Sequence, residues 1–154
     1  MTTIPPFVVP EVRIEDIVAV MDVMGDMNPV HVDEELVAEL GLRGRVNQGP
    51  ANIAYVMNML IAWAGSPQAI RRIQMRFHSI SCPGDRLEAR GKVVELRETK
   101  NGESSNLGNR IMAHCDVELV RDGGEIILQG QAEVLLPASL ATSLTTSAEA
   151  PDAD

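Results

Sequence analysis

Between Pro50 and Gly65 the chain reads ANIAYVMNMLIAWA, and apart from Asn52, Tyr55 and Asn58 it is apolar or small nearly all round. Pro50 suits the first turn of a helix, where no intrahelical N–H is needed, and Gly65 suits its C-terminal stop. A surface helix shows one apolar stripe, whereas a helix apolar on most sides has to be buried on most of its faces. The rest of the chain must therefore supply a surface that wraps it.

Four strand patterns after residue 70 can do so. Residues 73–79 alternate apolar and polar over most of their length, with Ile73, Met75 and Phe77 on one face. Residues 85–97 set Leu87, Ala89, Gly91 and Val93 against Arg86, Glu88, Arg90 and Lys92, and residues 110–121 set Ile111, Ala113, Cys115, Val117 and Leu119 against polar partners. Asp122-Gly123-Gly124 signals a hairpin, and residues 125–137 give a last strand with Ile126, Leu128, Gly130, Ala132 and Val134 inward. Single-faced strands in succession predict an antiparallel meander, and the class is α+β: a curved sheet around one long helix, with Phe7 to Val9 as an edge strand.

Upstream, residues 14–24 place Ile14, Ile17, Val18, Met21 and Met24 at helical intervals, with Glu15 and Asp16 in the favourable first turn. The helix runs into Gly25-Asp26-Met27-Asn28-Pro29, which opposes its continuation and predicts a shaped loop over 25–31. A short helix follows, with Asp33 as N-cap and Gly41 as stop. The length of 154 residues fits one domain over 1–137, and residues 138–154 are small, polar and acidic, with the composition of a disordered tail.

A formal charge of −9 argues against broad binding to nucleic acid or an anionic membrane, which needs a basic surface. Cys82 and Cys115 have neither CxxC spacing nor a ligand cluster, so two reduced, partly buried thiols are expected, with no metal site. The N-terminal MTTIPPFVVPEVR lacks a charged leader with a long apolar core, and no run approaches the roughly 20 apolar residues of a membrane span, so a cytoplasmic address is expected.

The loop carries the chemistry-bearing residues. Asp26 and His31, five apart and separated by Pro29, can converge on one water, and a carboxylate with an imidazole can both take and give a proton. On spacing alone the same residues also make an ordinary Asx turn.

The run Gly25-Asp26-Met27-Asn28-Pro29-Val30-His31 resembles the Gly-Asp-x-Asn-Pro-hydrophobic-His signature of MaoC-like dehydratases and (R)-specific enoyl-CoA hydratases. The resemblance extends to Gly49-Pro50 ahead of the apolar helix and to Pro83-Gly84-Asp85, and covers roughly residues 12–136. It implies the hotdog fold and a hydro-lyase acting on a trans-2-enoyl-CoA or 3-hydroxyacyl-CoA thioester. Asp26 and His31 would be catalytic, Asn28 would hold the loop or the carboxylate, and the Gly49 N–H would meet the thioester oxygen. No cofactor is implied, coenzyme A being part of the substrate. The chain departs from the family's common pattern at Gln48, where His is frequent, at Met24 and at Val37. A hotdog thioesterase, or a partner subunit of a heteromeric hydratase, is the alternative. A single hotdog unit leaves sheet edges that pair with another copy or another hotdog chain, so a homodimer or hetero-oligomer is expected.

His78 and His114 fall on polar strand faces and are expected to be solvated or hydrogen-bonded. Arg43 with Arg45, or Arg72 with Arg76, could meet coenzyme A phosphates, although exposed arginines are more often solvating charge. The methionines read as core filler that could line an acyl tunnel.

Overall fold

The computed structural model describes residues 2–99, 110–137 and Leu140. In chain order the elements are strand Thr2–Val9 (β1), helix Ile14–Met24 (α1), a 3-10 turn at Pro29–His31, helix Glu34–Glu39 (α2), helix Gly49–Ala64 (α3), and strands Ile70–Phe77 (β2), Leu87–Thr99 (β3), Arg110–Arg121 (β4) and Glu125–Leu136 (β5). The strands form one antiparallel sheet in the order β1-β3-β4-β5-β2. This is the α+β hotdog arrangement, with the sheet curved around α3.

The core lies between α3 and the inner face of the sheet. Val56, Met59, Leu60 and Ala64 of the helix are buried with Leu87, Ala89, Cys115, Leu119, Leu128 and Val134 of the strands. At Gly91 a Cβ would stand 2.9 Å from Met59 Cε and 3.0 Å from Ile4 Cδ1, so its missing side chain is what lets helix and edge strand close over β3. Each large side chain here, Leu60 for one, stabilises the fold by about 2–5 kcal/mol relative to alanine.

Several details depart from the pattern reading. Strand β1 spans Thr2–Val9 rather than Phe7 to Val9 alone, because a register shift between Ile4 and Phe7 takes Pro5 and Pro6 out of the ladder on an edge strand. Strand β2 begins at Ile70 and ends at Phe77; the N–H groups of His78 and Ser79 both turn onto the Ile127 carbonyl. Ile127, not Ile126, is the buried residue at the start of β5. A bulge pairs Leu119 with Leu128 and Val120 with Ile126, so Ile127 is the extra residue and points inward. A second bulge puts Val94 outside the ladder of β3, where it is exposed.

Both amphipathic readings were too broad. Of the apolar stripe on α1 only Ile17 and Met21 are buried, while Val18 and Met24 are exposed. On α3 a strip through Ala54, Asn58 and Ala62 faces out. Most of residues 138–154 lie outside the described residues; Leu140 packs against the core. No helix among the described residues is long and apolar enough to cross a membrane.

Candidate active site

Helix α1 ends where Gly25 takes a left-handed conformation (φ 63°), its N–H returning to the Met21 carbonyl. The Asp26 N–H donates to the same carbonyl at 3.0 Å, so the residue after the glycine is held against the helix end. The chain then folds tightly over itself. Asn28 N–H donates to Asp26 Oδ1 at 3.1 Å, and Asn28 Oδ1 accepts from Val30 N–H at 3.2 Å, capping the 3-10 turn that carries His31. Pro29 occupies the first position of that turn, where its missing N–H costs nothing.

This turn brings the two side chains together. His31 Nε2 lies 3.0 Å from Asp26 Oδ2, with the His31 side chain 9% exposed and that of Asp26 37% exposed. His31 Nδ1 lies 2.6 Å from the Val46 carbonyl, which can only accept, so Nδ1 carries a proton. The tautomer is thereby set. In the neutral ring Nε2 presents its lone pair beside the carboxylate; with a second proton the ring forms a charged pair with Asp26.

The Asn28 N–H holds the Asp26 carboxyl below its ordinary pKa of 3.8, aided by the neighbouring His31 ring and the Gln48 amide and opposed by partial desolvation. Asp26 is therefore a carboxylate at neutral pH.

The segment entering α3 touches the pair through the Val46 carbonyl, which meets His31. Val46 N–H also donates to the Val30 carbonyl at 3.1 Å. Gly49 comes next, as the first residue of α3, and its N–H has neither an intrahelical acceptor nor another bond among the described residues. Over it lies Phe77, whose Cζ is 3.2 Å from where a Gly49 Cβ would stand. Alternation puts Phe77 on the same face of β2 as Ile73 and Met75, but at the end of the strand it is 46% exposed and lies over the glycine rather than inside the core.

The supports beneath this segment escaped the pattern reading. Gln48 is 1% exposed, and in the orientation that satisfies its amide it donates to the Ile17 carbonyl and accepts from the Met21 N–H, each at 3.3 Å. It links α1 to the start of α3. Asn47 accepts from the Gln48 N–H at 3.0 Å and donates to Asn52 Oδ1 at 2.9 Å, which also accepts from Ser81 Oγ at 2.8 Å; all three side chains are buried. The one signal in the sequence was Asn52 itself, a polar residue in an apolar helix, which called for buried partners.

The other candidates lie apart from the pair. Arg43 is ion-paired with the buried Asp85, and Arg45 with Glu34 at 3.3 Å. His78 is exposed, and His114 stands 3.9 Å from Glu133 on the outer face of the sheet. Cys82 and Cys115 are free and buried. Among the described residues no group of three or more His, Cys, Asp or Glu side chains stands where it could hold a metal ion. An open depression of about 570 Å³ over Lys92, Asp116 and Gln131 belongs to the outer face, across the sheet from α3.

Comparison with known proteins bears on the fold and the family. The chain is 26% identical over 128 residues to the 3-hydroxybutyryl-CoA dehydratase of Methylorubrum extorquens, covering 82% of this chain and 74% of that one. Among solved structures it is similar to the R-hydratase PhaJ1 of Pseudomonas aeruginosa (TM-score 0.70, 20% identity, 88% of this chain and 80% of that one). It is also similar to the ChsH1-ChsH2 complex of Mycobacterium tuberculosis (TM-score 0.69, 16% identity, 88% and 95%). At these identities the solved structures bear on the fold. Residues 9–113 match the model of the MaoC like domain, and they span both the Asp26–His31 turn and the α3 entry, so the chain belongs to the MaoC-like dehydratase family.

Proposed function

We propose that this chain adds water to a trans-2-enoyl-CoA, or removes it from the corresponding 3-hydroxyacyl-CoA, with Asp26 and His31 as the acid–base pair. The 3.0 Å contact between His31 Nε2 and Asp26 Oδ2, at the rim of an accessible turn, is the observation that carries the reading. A water held by both groups can lose a proton to the pair as its oxygen bonds C3. The C2=C3 electron pair shifts toward C2 and the thioester carbonyl, and C2 is protonated from the same pair, so the protein ends as it began. Water addition is redox-neutral and uses only the pair and the substrate, with coenzyme A as part of the latter.

As the enolate forms, negative charge grows on the thioester oxygen, and a donor held ready for it is the largest single aid to such a reaction. The unpaired Gly49 N–H at the start of α3 fits that role. Asn28 acts through the loop: its N–H keeps Asp26 ionised and its side chain holds the turn beneath His31. The resemblance to (R)-specific hydratases favours the (R)-3-hydroxyacyl product.

The test is loss of enoyl absorbance when the purified chain meets a panel of trans-2-enoyl-CoA thioesters of rising length and bulk. Hydration abolished by Asp26→Asn is the expected result. Release of free coenzyme A without hydration would instead make the chain a thioesterase.

A further inference from the structure

The acid–base turn and the start of α3 are joined by a short path of bonds through two residues, Met21 and Gln48. The Met21 carbonyl accepts from the N–H groups of Gly25 and Asp26, which holds the residue that carries the carboxylate. The Met21 N–H donates to Gln48 Oε1, and Gln48 Nε2 donates to the Ile17 carbonyl, each at 3.3 Å. Ile17 and Met21 are four apart, so in a regular helix this carbonyl and this N–H pair with one another and neither needs an outside partner. The amide therefore supplies α1 with a fixed position rather than with a partner it lacks.

The backbone of Gln48 is held as well. Its N–H donates to Asn47 Oδ1 at 3.0 Å, and its carbonyl accepts from the Asn52 N–H at 3.1 Å. Asn47 is fixed in turn: its side-chain amide donates to Asn52 Oδ1 at 2.9 Å and its backbone N–H to the Ser81 carbonyl at 2.7 Å. The peptide bond from Gln48 to Gly49 is planar and trans, so the Gly49 N–H points opposite to the Gln48 carbonyl. With that carbonyl directed into the first turn of α3, the Gly49 N–H is aimed out of the N-terminal end of the helix.

We propose that Gln48 is a positioning residue that fixes the Gly49 N–H relative to the Asp26–His31 pair. The inference rests on the hydratase reading and deepens it. Attack on C3 and charge uptake at the thioester oxygen occur within one substrate, so the two protein groups that serve them must keep one separation. The path from Asp26 through Met21 to the Gln48 amide sets that separation, and the rigid peptide to Gly49 completes it. At 1% exposure, Gln48 itself meets no substrate. An apolar side chain of the same length would fill the space but leave the turn and the helix start free to slide against each other.

The experiment compares the full wild-type chain with Gln48→Met, which keeps the length and loses both bonds, and with Gln48→His, whose neutral ring carries a donor and an acceptor across one carbon as the amide does. Assays are run at about pH 8, where imidazole is neutral. Gln48→Met should lower kcat for trans-2-enoyl-CoA hydration by between about tenfold and 10²-fold. KM, and the Kd of saturated butyryl-CoA, should change by less than about twofold. Gln48→His should recover most of kcat. NMR relaxation dispersion gives a readout independent of turnover: the Asp26 and Gly49 amides should both show microsecond-to-millisecond exchange in Gln48→Met and none in the wild type or Gln48→His. If Gln48→Met fails to fold, Gln48→Ser, in which water can replace the amide, carries the same expectations.

An unchanged kcat with quiet amides overturns the proposal. A rise in KM alone assigns Gln48 to substrate binding and overturns it too, as does a loss that comes with a lower melting temperature and is not restored by Gln48→His, which would mean general packing. A wild type that hydrates no enoyl-CoA would sink the hydratase reading alone. The dispersion then decides, exchange at both amides upholding the link from turn to helix start and quiet amides ending it.

Discussion

The ring of Phe77 lies on Gly49, with Cζ 3.2 Å from the point a Cβ would occupy. An alanine at 49 would push that ring by a few tenths of an ångström or shift the start of α3. Because misplacing a catalytic group by about 1 Å costs roughly 10²-fold, Gly49→Ala should lower hydration by between about tenfold and 10²-fold. Adding Phe77→Ala should recover most of the loss. Recovery would place the fault in the contact; a double variant as slow as Gly49→Ala would place it in the backbone.

Asp26→Asn and His31→Ala should each lower kcat/KM for enoyl-CoA hydration by on the order of 10²-fold or more, with the melting temperature little changed. Both groups are proposed to act on one water, so the double variant should be no worse than the poorer single one. Losses that add as free energies would mean separate roles.

The depressed Asp26 pKa has a defined sign. A carboxyl whose folded value lies below its unfolded one contributes stability above the unfolded pKa, and that contribution is lost as pH falls through the folded value. Carbon-detected NMR should find Asp26 titrating below 3.8. Gln48→Leu removes one of the contacts that lower it, so the midpoint should rise. A midpoint unmoved by that change would leave Gln48 as a link between helices only.

Cys115 shows the opposite linkage. Burial, with a further push from Asp116, raises its thiol pKa from 9.0 to about 12. Between pH 9 and 12 the unfolded thiol ionises while the folded one stays protonated, so stability should fall as pH rises through this window. Cys115→Ala should flatten that fall in a chemical denaturation series. Alkylation of Cys115 at about pH 8 should require unfolding.

Gly130 of β5 sits where a Cβ would run into the Gln74 carbonyl oxygen of β2. The clash is with backbone, which has no rotamer to escape into. Gly130→Ala should therefore detach β2 and yield insoluble or partly folded protein. Gly91→Ala meets the ends of the flexible Met59 and Ile4 side chains and should cost only about 1–3 kcal/mol in urea denaturation.

The helix, the single-faced strands, the three-stranded meander β3-β4-β5 and the Asp26–His31 turn were legible in the chain because each rests on local rules: apolar periodicity, alternation and turn residues. The expected four-strand meander was not what forms, because β2 crosses over to pair with β5 instead of its sequence neighbour β3, a choice set by how the sheet closes around the helix. The bulges were not legible, since an extra residue such as Ile127 or Val94 is defined only by the strand opposite it. The same is true of the exposed strip on α3, which depends on how far round the helix the sheet extends.

By itself the sequence determined that one apolar helix must be wrapped by single-faced strands, and that Asp26 and His31 share one rigid turn. Only the tertiary structure decided what surrounds that turn. Val46 sets the His31 tautomer from fifteen positions away, and Gln48 ties the end of α1 to the start of α3. Asn47, Asn52 and Ser81 satisfy one another in the buried start of α3, and Phe77 comes across from an edge strand to lie against Gly49. The reason is physical: a buried polar group must find its partner wherever packing brings one within about 3 Å, and packing follows from the whole sheet rather than from the spacing of neighbours.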